Sequence, residues 1–161
     1  MQITKMLMVS ALTMLIATGC ATAPTPITIS ETAAATPQLS TLTKLLNDAG
    51  LTETLKGPGP YTVFAPTDDA FKAVPAKTLD ALAKDKALLI SVLTYHVLPG
   101  AVTSAAVVNG PVKTVQGAPV AIYKSGTFVT VEEAVITTPD IAASNGVVHI
   151  VDKVLMPPVK K

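Results

Sequence analysis

The chain is 161 residues long, enough for one domain that buries roughly 68–70% of its unfolded surface. Its twelve basic residues, all lysine, nearly balance eleven acidic ones, charged residues make up 14% of the chain, and 49% is hydrophobic. Without arginine's planar fork or a basic stripe the composition speaks against nucleic-acid binding, and a single cysteine leaves no intrachain disulfide.

The N-terminus reads as an export signal. Lys5 supplies a positive start, and Met6 to Ala17 is an apolar run too short to span a bilayer comfortably. The following Ala17-Thr18-Gly19-Cys20 resembles a bacterial lipobox, although Ala17 stands where leucine is usual. Residues 1–19 are therefore expected to be a lipoprotein-type signal peptide, with Cys20 lipidated. The competing reading is a plain signal peptide that happens to end near a cysteine. A lone exported thiol would otherwise expose a reactive group, which favours lipidation. Residues 20–36, rich in Ala, Thr and Pro, read as an extended linker whose reach at about 3.1 Å per residue is on the order of 50 Å.

From Leu39 the apolar spacing turns helical, with Leu42, Leu45, Leu46 and Ala49 on one side and Gly50 as a stop. Leu51 and Leu55 suggest a second short helix, and Gly57-Pro58-Gly59-Pro60 a turn. Tyr61 to Ala65 reads as a strand buried on both faces and ended by Pro66. Thr67 and Asp68 then cap a helix holding Ala70 and Phe71. Val74-Pro75 breaks that helix, Ala76 to Ala83 restarts one, and a longer helix is predicted over Asp85 to Tyr95, closed by Pro99-Gly100. Beyond this point the period changes. Val102–Val108, Val112–Val115, Val120–Tyr123, Thr127–Val131, Ala134–Thr138 and Val147–Met156 are short, β-branched and separated by Asn-Gly, Gln-Gly and Ser-Gly signals. Helices first and strands second, with one early strand, imply an α+β fold.

Three motifs carry a resemblance. Thr62-Val63-Phe64-Ala65-Pro66-Thr67-Asp68 with Ala70-Phe71 resembles the first signature of the fasciclin domain family. Tyr95-His96-Val97-Leu98-Pro99-Gly100 resembles its central Tyr-His element, and Asn145-Gly146-Val147-Val148-His149-Ile150-Val151-Asp152-Lys153-Val154-Leu155-Met156-Pro157 its second signature. The resemblance implies a compact β-sandwich or wedge with several flanking helices over residues 37–158, as a single copy. Phe64, Pro66, Thr67, Asp68, Phe71, Asn145, Gly146 and His149 would be its structural motif residues.

Chemistry needs a constellation, and the sequence offers none. His96 and His149 have no activated nucleophile or matching metal ligands beside them, and Asp68 and Asp69 point to different sides of a helix. No phosphate loop, heme attachment pattern or calcium loop is written here, so neither an enzyme nor a cofactor is expected. Phe64 and Phe71 read as core. Both histidines are expected to be buried, neutral and hydrogen-bonded, with Thr67 and Asp68 as candidate partners of His96. The resemblance implies one sharper site: Tyr95-His96 and Asp140-Ile141 match positions linked to integrin binding in animal adhesion proteins of the family. The bland reading is that Asp140 caps a turn and Ile141 plugs the core.

The function expected is a noncatalytic extracytoplasmic interaction module in adhesion or surface and matrix association. Its partner would be a protein, a polysaccharide or a second copy. It would sit in the cell envelope, lipid-anchored to a bacterial membrane through Cys20, or otherwise be periplasmic or secreted. The alternative is a binding protein for an apolar small molecule, or an envelope-stress factor, which a large apolar cleft would favour.

Overall fold

The structure, a computed structural model, describes residues 27–158. The expected signal peptide, Cys20 and the first part of the expected linker lie outside the described residues.

The helices come first and each has a local cause. Thr28 and Glu31 form a capping box at the start of α1 (Ile29–Ala35). After a 3-10 turn at Pro37–Leu39, α2 (Ser40–Ala49) ends at Gly50, whose φ of 74° is left-handed. Helix α3 (Thr52–Lys56) leads to β1 (Tyr61–Pro66), and Thr67 then caps α4 (Asp68–Lys72) by accepting from Ala70 N–H. Helix α5 (Ala76–Lys84) follows Pro75, and Asp85 caps α6 (Lys86–Tyr95) through Ala87 and Leu88 N–H. The strands are β2 (Val97–Pro99), β3 (Gly110–Lys113), β4 (Pro119–Ser125), β5 (Phe128–Val131), β6 (Ala134–Ala143) and β7 (Gly146–Val151).

Their spatial order is β2-β1-β7-β6-β5-β4-β3. Only β1 and β7 run parallel, in unbroken register from Tyr61 opposite Gly146 to Pro66 opposite Val151. That pair joins two of the sequence motifs directly. The sheet curls until its end strands approach, with Val115 N–H donating to the Val97 carbonyl at 2.8 Å. Inside the curl lies one core, with Phe64, Tyr95, Leu98, Ile122 and Val131. Between the sheet and the helices lies a second, with Leu42, Val63, Phe71, Leu89 and Ile150. The expected α+β architecture is the one found. The central strands β1 and β7 serve both cores, which is why they read as continuously apolar.

Several expectations need correction. The linker expected over 20–36 is not extended in its described part. Residues 29–35 are helix α1, whose Ile29 and Ala33, one turn apart, are buried in the helix-side core. The folded unit therefore starts ahead of residue 37. Strand β1 does not stop at Ala65: Pro66 keeps its register, and Thr67 N–H supplies the next bond to the Val151 carbonyl at 3.1 Å. Val102–Val108 is a loop rather than a strand, because side chains take over its backbone bonding. Thr62 Oγ1 accepts from Val102 N–H and Asp140 from Ser104 N–H. Strand β2 is three residues long, too short to show a period, and β3 begins at Gly110 instead of Val112. Strand β6 continues to Ala143 through register shifts, whereas β7 ends at Val151 and not at Met156.

Candidate functional site

The two histidines flank Phe64 of the central strand β1, His96 from the β2 side and His149 from the β7 side. His96, 2% exposed, follows α6 directly. Its Nδ1 lies 2.7 Å from the Val92 carbonyl, and its Nε2 accepts from Leu155 N–H at 2.9 Å. A carbonyl can only accept, so Nδ1 carries the proton and the ring is neutral. Burial pushes this imidazole down to about 4, the Val92 carbonyl opposing the shift. The His96 carbonyl in turn accepts from Phe64 N–H at 2.9 Å, so the Tyr-His element supports β1. Thr67 and Asp68 are not its partners. Thr67 caps α4, and Asp68 accepts from Thr41 N–H at 2.8 Å and Ser40 Oγ at 2.7 Å, fastening the first turn of α2.

His149, 1% exposed, faces Phe64 across the β1–β7 ladder and stacks on it, ring centroids 5.7 Å apart. Its bonds mirror those of His96. Nδ1 accepts from Asp140 N–H at 3.1 Å, and Nε2–H donates to the Val102 carbonyl at 2.8 Å. The ring thereby pins the Val102 loop and the irregular stretch of β6 at Asp140 to the central strand.

Asp140 is the exposed end of this arrangement. Its φ of 57° is left-handed, a conformation that aspartate tolerates better than most non-glycine residues. Its carboxylate accepts from Ser104 N–H at 2.7 Å and from the Ser104 hydroxyl. The Ser104 hydroxyl bond, above all, holds the carboxyl below the ordinary carboxylate range, against the opposing effect of burial and with help from the Ser104 N–H. Ile141 beside it is half-buried, opposite Val148 and packed on the helix-side core.

Tyr95 stands apart from this corner, 2% exposed in the core inside the curl. Its hydroxyl reaches the Pro119 carbonyl at 3.2 Å and Glu132 Oε1 at 3.4 Å. Burial, then the Glu132 charge, pushes the phenol up to about 12. Of the four residues expected to meet a partner, Asp140 is the one displayed openly; Tyr95 and His96 are internal. The structure brings Asp140 and His149 together, and adds Ser104 and Val102, which the β-branched pattern of 102–108 assigns to a strand.

Asn145 and Gly146 close the motif. Asn145 Oδ1 accepts from Ile29 N–H at 3.0 Å, its Nδ2 donates to the carbonyls of Leu55 and Gly57, and its own carbonyl accepts from Tyr61 N–H. One side chain thus ties α1, α3 and the β6–β7 turn together. Gly146 packs so tightly on β1 that a Cβ there would lie 1.8 Å from the Tyr61 carbonyl oxygen.

Among the described residues, no three His, Cys, Asp or Glu side chains are grouped to hold a metal ion, and no helix is long and apolar enough to cross a membrane. An apolar crevice lined by Leu46, Leu51, Leu55, Tyr61, Leu93 and Val97 encloses about 60 Å³. Sites for drug-sized ligands run to about 300–1,000 Å³.

Comparison with known proteins agrees with this architecture. The sequence model of the Fasciclin domain matches residues 37–157. Protein sll1483 of Synechocystis sp. is 42% identical over 134 residues, 82% of this chain and 74% of that protein. The cell surface glycolipoprotein MPB83 of Mycobacterium bovis is 40% identical over 135 residues, covering 81% of this chain and 60% of its own length. Among solved structures, a FAS1 domain pair from the insect cell adhesion molecule fasciclin I matches with a TM-score of 0.65 at 16% identity. That match covers 81% of this chain and 51% of the insect chain, and it is a likeness of fold.

Proposed function

The chain belongs to the fasciclin domain family, and from that premise we propose that it is a noncatalytic interaction module of the cell surface. In this reading it is exported, anchored through Cys20, and binds a protein or polysaccharide of the surface or matrix. The observation that carries the reading is its 40% identity to a cell surface glycolipoprotein over most of the chain. The rigid display of Asp140 supports a contact there: the residue is exposed, while its main chain and carboxylate are held by His149 and Ser104.

The test is retention. Beads carrying the purified chain should hold envelope proteins or isolated surface polysaccharide above beads carrying albumin, and Asp140→Ala should lose the retained component while its circular dichroism stays native. Retention no better than albumin would overturn the interaction role. Undiminished retention by Asp140→Ala would remove that residue from the contact. A bait for this purpose begins no later than Ile27, because α1 belongs to the core.

A further inference from the structure

The chain has six aromatic residues, three Phe and three Tyr, and they divide sharply. Phe64, Phe71 and Tyr95 are buried and Tyr61 is half-buried, but Tyr123 and Phe128 are 54% and 69% exposed. Strand register explains why. Tyr123 pairs with Thr130 and Ser125 with Phe128, so the two rings are diagonal neighbours on the outer face of the β4–β5 hairpin. The opposite face carries the buried Val120, Ile122, Val129 and Val131.

This hairpin tip belongs to the end of the domain where the chain enters. The loop between β2 and β3 spans that end. It is fixed at one side by Val102 N–H on Thr62 Oγ1, and at the other by Asn109, whose side chain bonds the Lys124 backbone. Lys124 Nζ donates to the Ser104 carbonyl, and Ser104 holds Asp140. Ile27, the first described residue, accepts from Ser144 N–H in the β6–β7 turn of the same end. Seven large hydrophobic side chains are exposed among the described residues. Four of them, Ile27, Val108, Tyr123 and Phe128, lie here, and these include the three most exposed.

We infer that this end of the domain docks on the lipid bilayer, with Phe128, Tyr123 and Val108 entering the boundary between headgroups and acyl chains. The inference rests on the anchoring through Cys20 proposed above. Because α1 is folded, only seven peptide steps separate Cys20 from Ile27, a reach of at most about 25 Å. That is half of what an extended linker would allow, and it confines this end to within about 25 Å of the membrane. Such tethering makes contact effectively intramolecular, so a small apolar patch suffices. Aromatic rings with one apolar body favour the interfacial zone. The turn Ser125-Gly126-Thr127 has no charge, and Lys124 and Asp140 behind it cancel, so the contact is apolar rather than electrostatic.

The chain contains no tryptophan, so Phe128→Trp in the full-length lipoprotein introduces a single indole. The probe is a vesicle of phosphatidylethanolamine and phosphatidylglycerol, with or without acyl-brominated lipid. Phe128→Trp should emit at shorter wavelength and lose most of its intensity to the bromines, in high salt as in low. Met156→Trp, beyond the far end of β7, should do neither. Equal, unquenched emission from both variants, in protein that sediments with the vesicles, would overturn docking and leave anchoring intact. A blue-shifted but unquenched Phe128→Trp would mean that a protein surface such as a second copy covers the hairpin, which also overturns it. Failure of the wild type to sediment, matching Cys20→Ser, would overturn anchoring and docking together.

Discussion

Acid should destabilise this domain through His96 before its carboxylates matter. The unfolded chain takes up a histidine proton near 6.5, while the buried ring does so only near 4. Between those values the unfolded state holds more protons, so native stability is complete above about 6.5 and falls as the pH drops toward 4. A gap of about 2.5 units at 1.36 kcal/mol each makes the full loss about 3 kcal/mol. Set against a total stability of about 5–15 kcal/mol, that loss is large. Asp68 and Asp140 are held below the ordinary carboxylate range, so whatever they add is lost only as pH falls through about 4 and below. The assay is urea unfolding at pH 7, 6, 5 and 4 for the wild type and His96→Leu. The variant should be weaker at pH 7, because Leu155 N–H and the Val92 carbonyl lose their partner at about 1–3 kcal/mol each. Its midpoint should nevertheless change much less between pH 6.5 and 4. Parallel curves for the two proteins, or a His96 ring that titrates near 6.5 by NMR in the folded state, would refute the reasoning.

Other expectations concern single contacts. Gly146→Ala should cost more than about 3 kcal/mol, since its Cβ would sit 1.8 Å from the rigid Tyr61 carbonyl oxygen, whereas Gly126→Ala, in open space at φ 62°, should cost only about 1–2 kcal/mol. Equal urea midpoints for these two variants would contradict that ranking. Asn145→Ala leaves Ile29 N–H and the carbonyls of Leu55 and Gly57 without their partner; a loss of about 2–4 kcal/mol, with faster hydrogen exchange at Ile29, is expected. Ile29→Ala should cost about 2–4 kcal/mol by calorimetry, as for any core aliphatic, and a neutral result would return this segment to linker status.

What the sequence disclosed and what it withheld divide along a physical line. Apolar period and capping chemistry are local, so α2, α6 and the order of helices before strands were legible from Leu42, Leu46, Gly50 and Asp85. Strands β4 and β5 could be read from alternation alone, and the same alternation already set Tyr123 and Phe128 opposite the core-facing valines. Helix α1 was hidden because two buried side chains, Ile29 and Ala33, make a faint pattern within an Ala- and Thr-rich stretch. Hydrogen-bond partners set by tertiary structure left no trace at all. Leu155 is 59 residues from His96, and Val102 is 47 from His149.

Those hidden partners change the sense of the Tyr-His and Asp-Ile elements. As sequence motifs they are matched by the family resemblance to one contact site, even though His96 is expected to be buried. In the fold, His96 fastens α6 and the C-terminal segment on the β2 side of Phe64, while His149, on its β7 side, fastens the Val102 loop and the Asp140 stretch of β6. Phe64 connects them, through its N–H to the His96 carbonyl and its ring on His149. In the proposed contact the Tyr-His element would therefore act on a partner only through the rigidity of β1. Only the far end of that chain of contacts, where Ser104 steadies the Asp140 carboxylate, is open to meet one. Tyr95→Phe should then weaken the fold by about 1 kcal/mol while leaving affinity at Asp140 unchanged in protein that remains folded. An affinity lost at full stability would instead place Tyr95 in the contact itself.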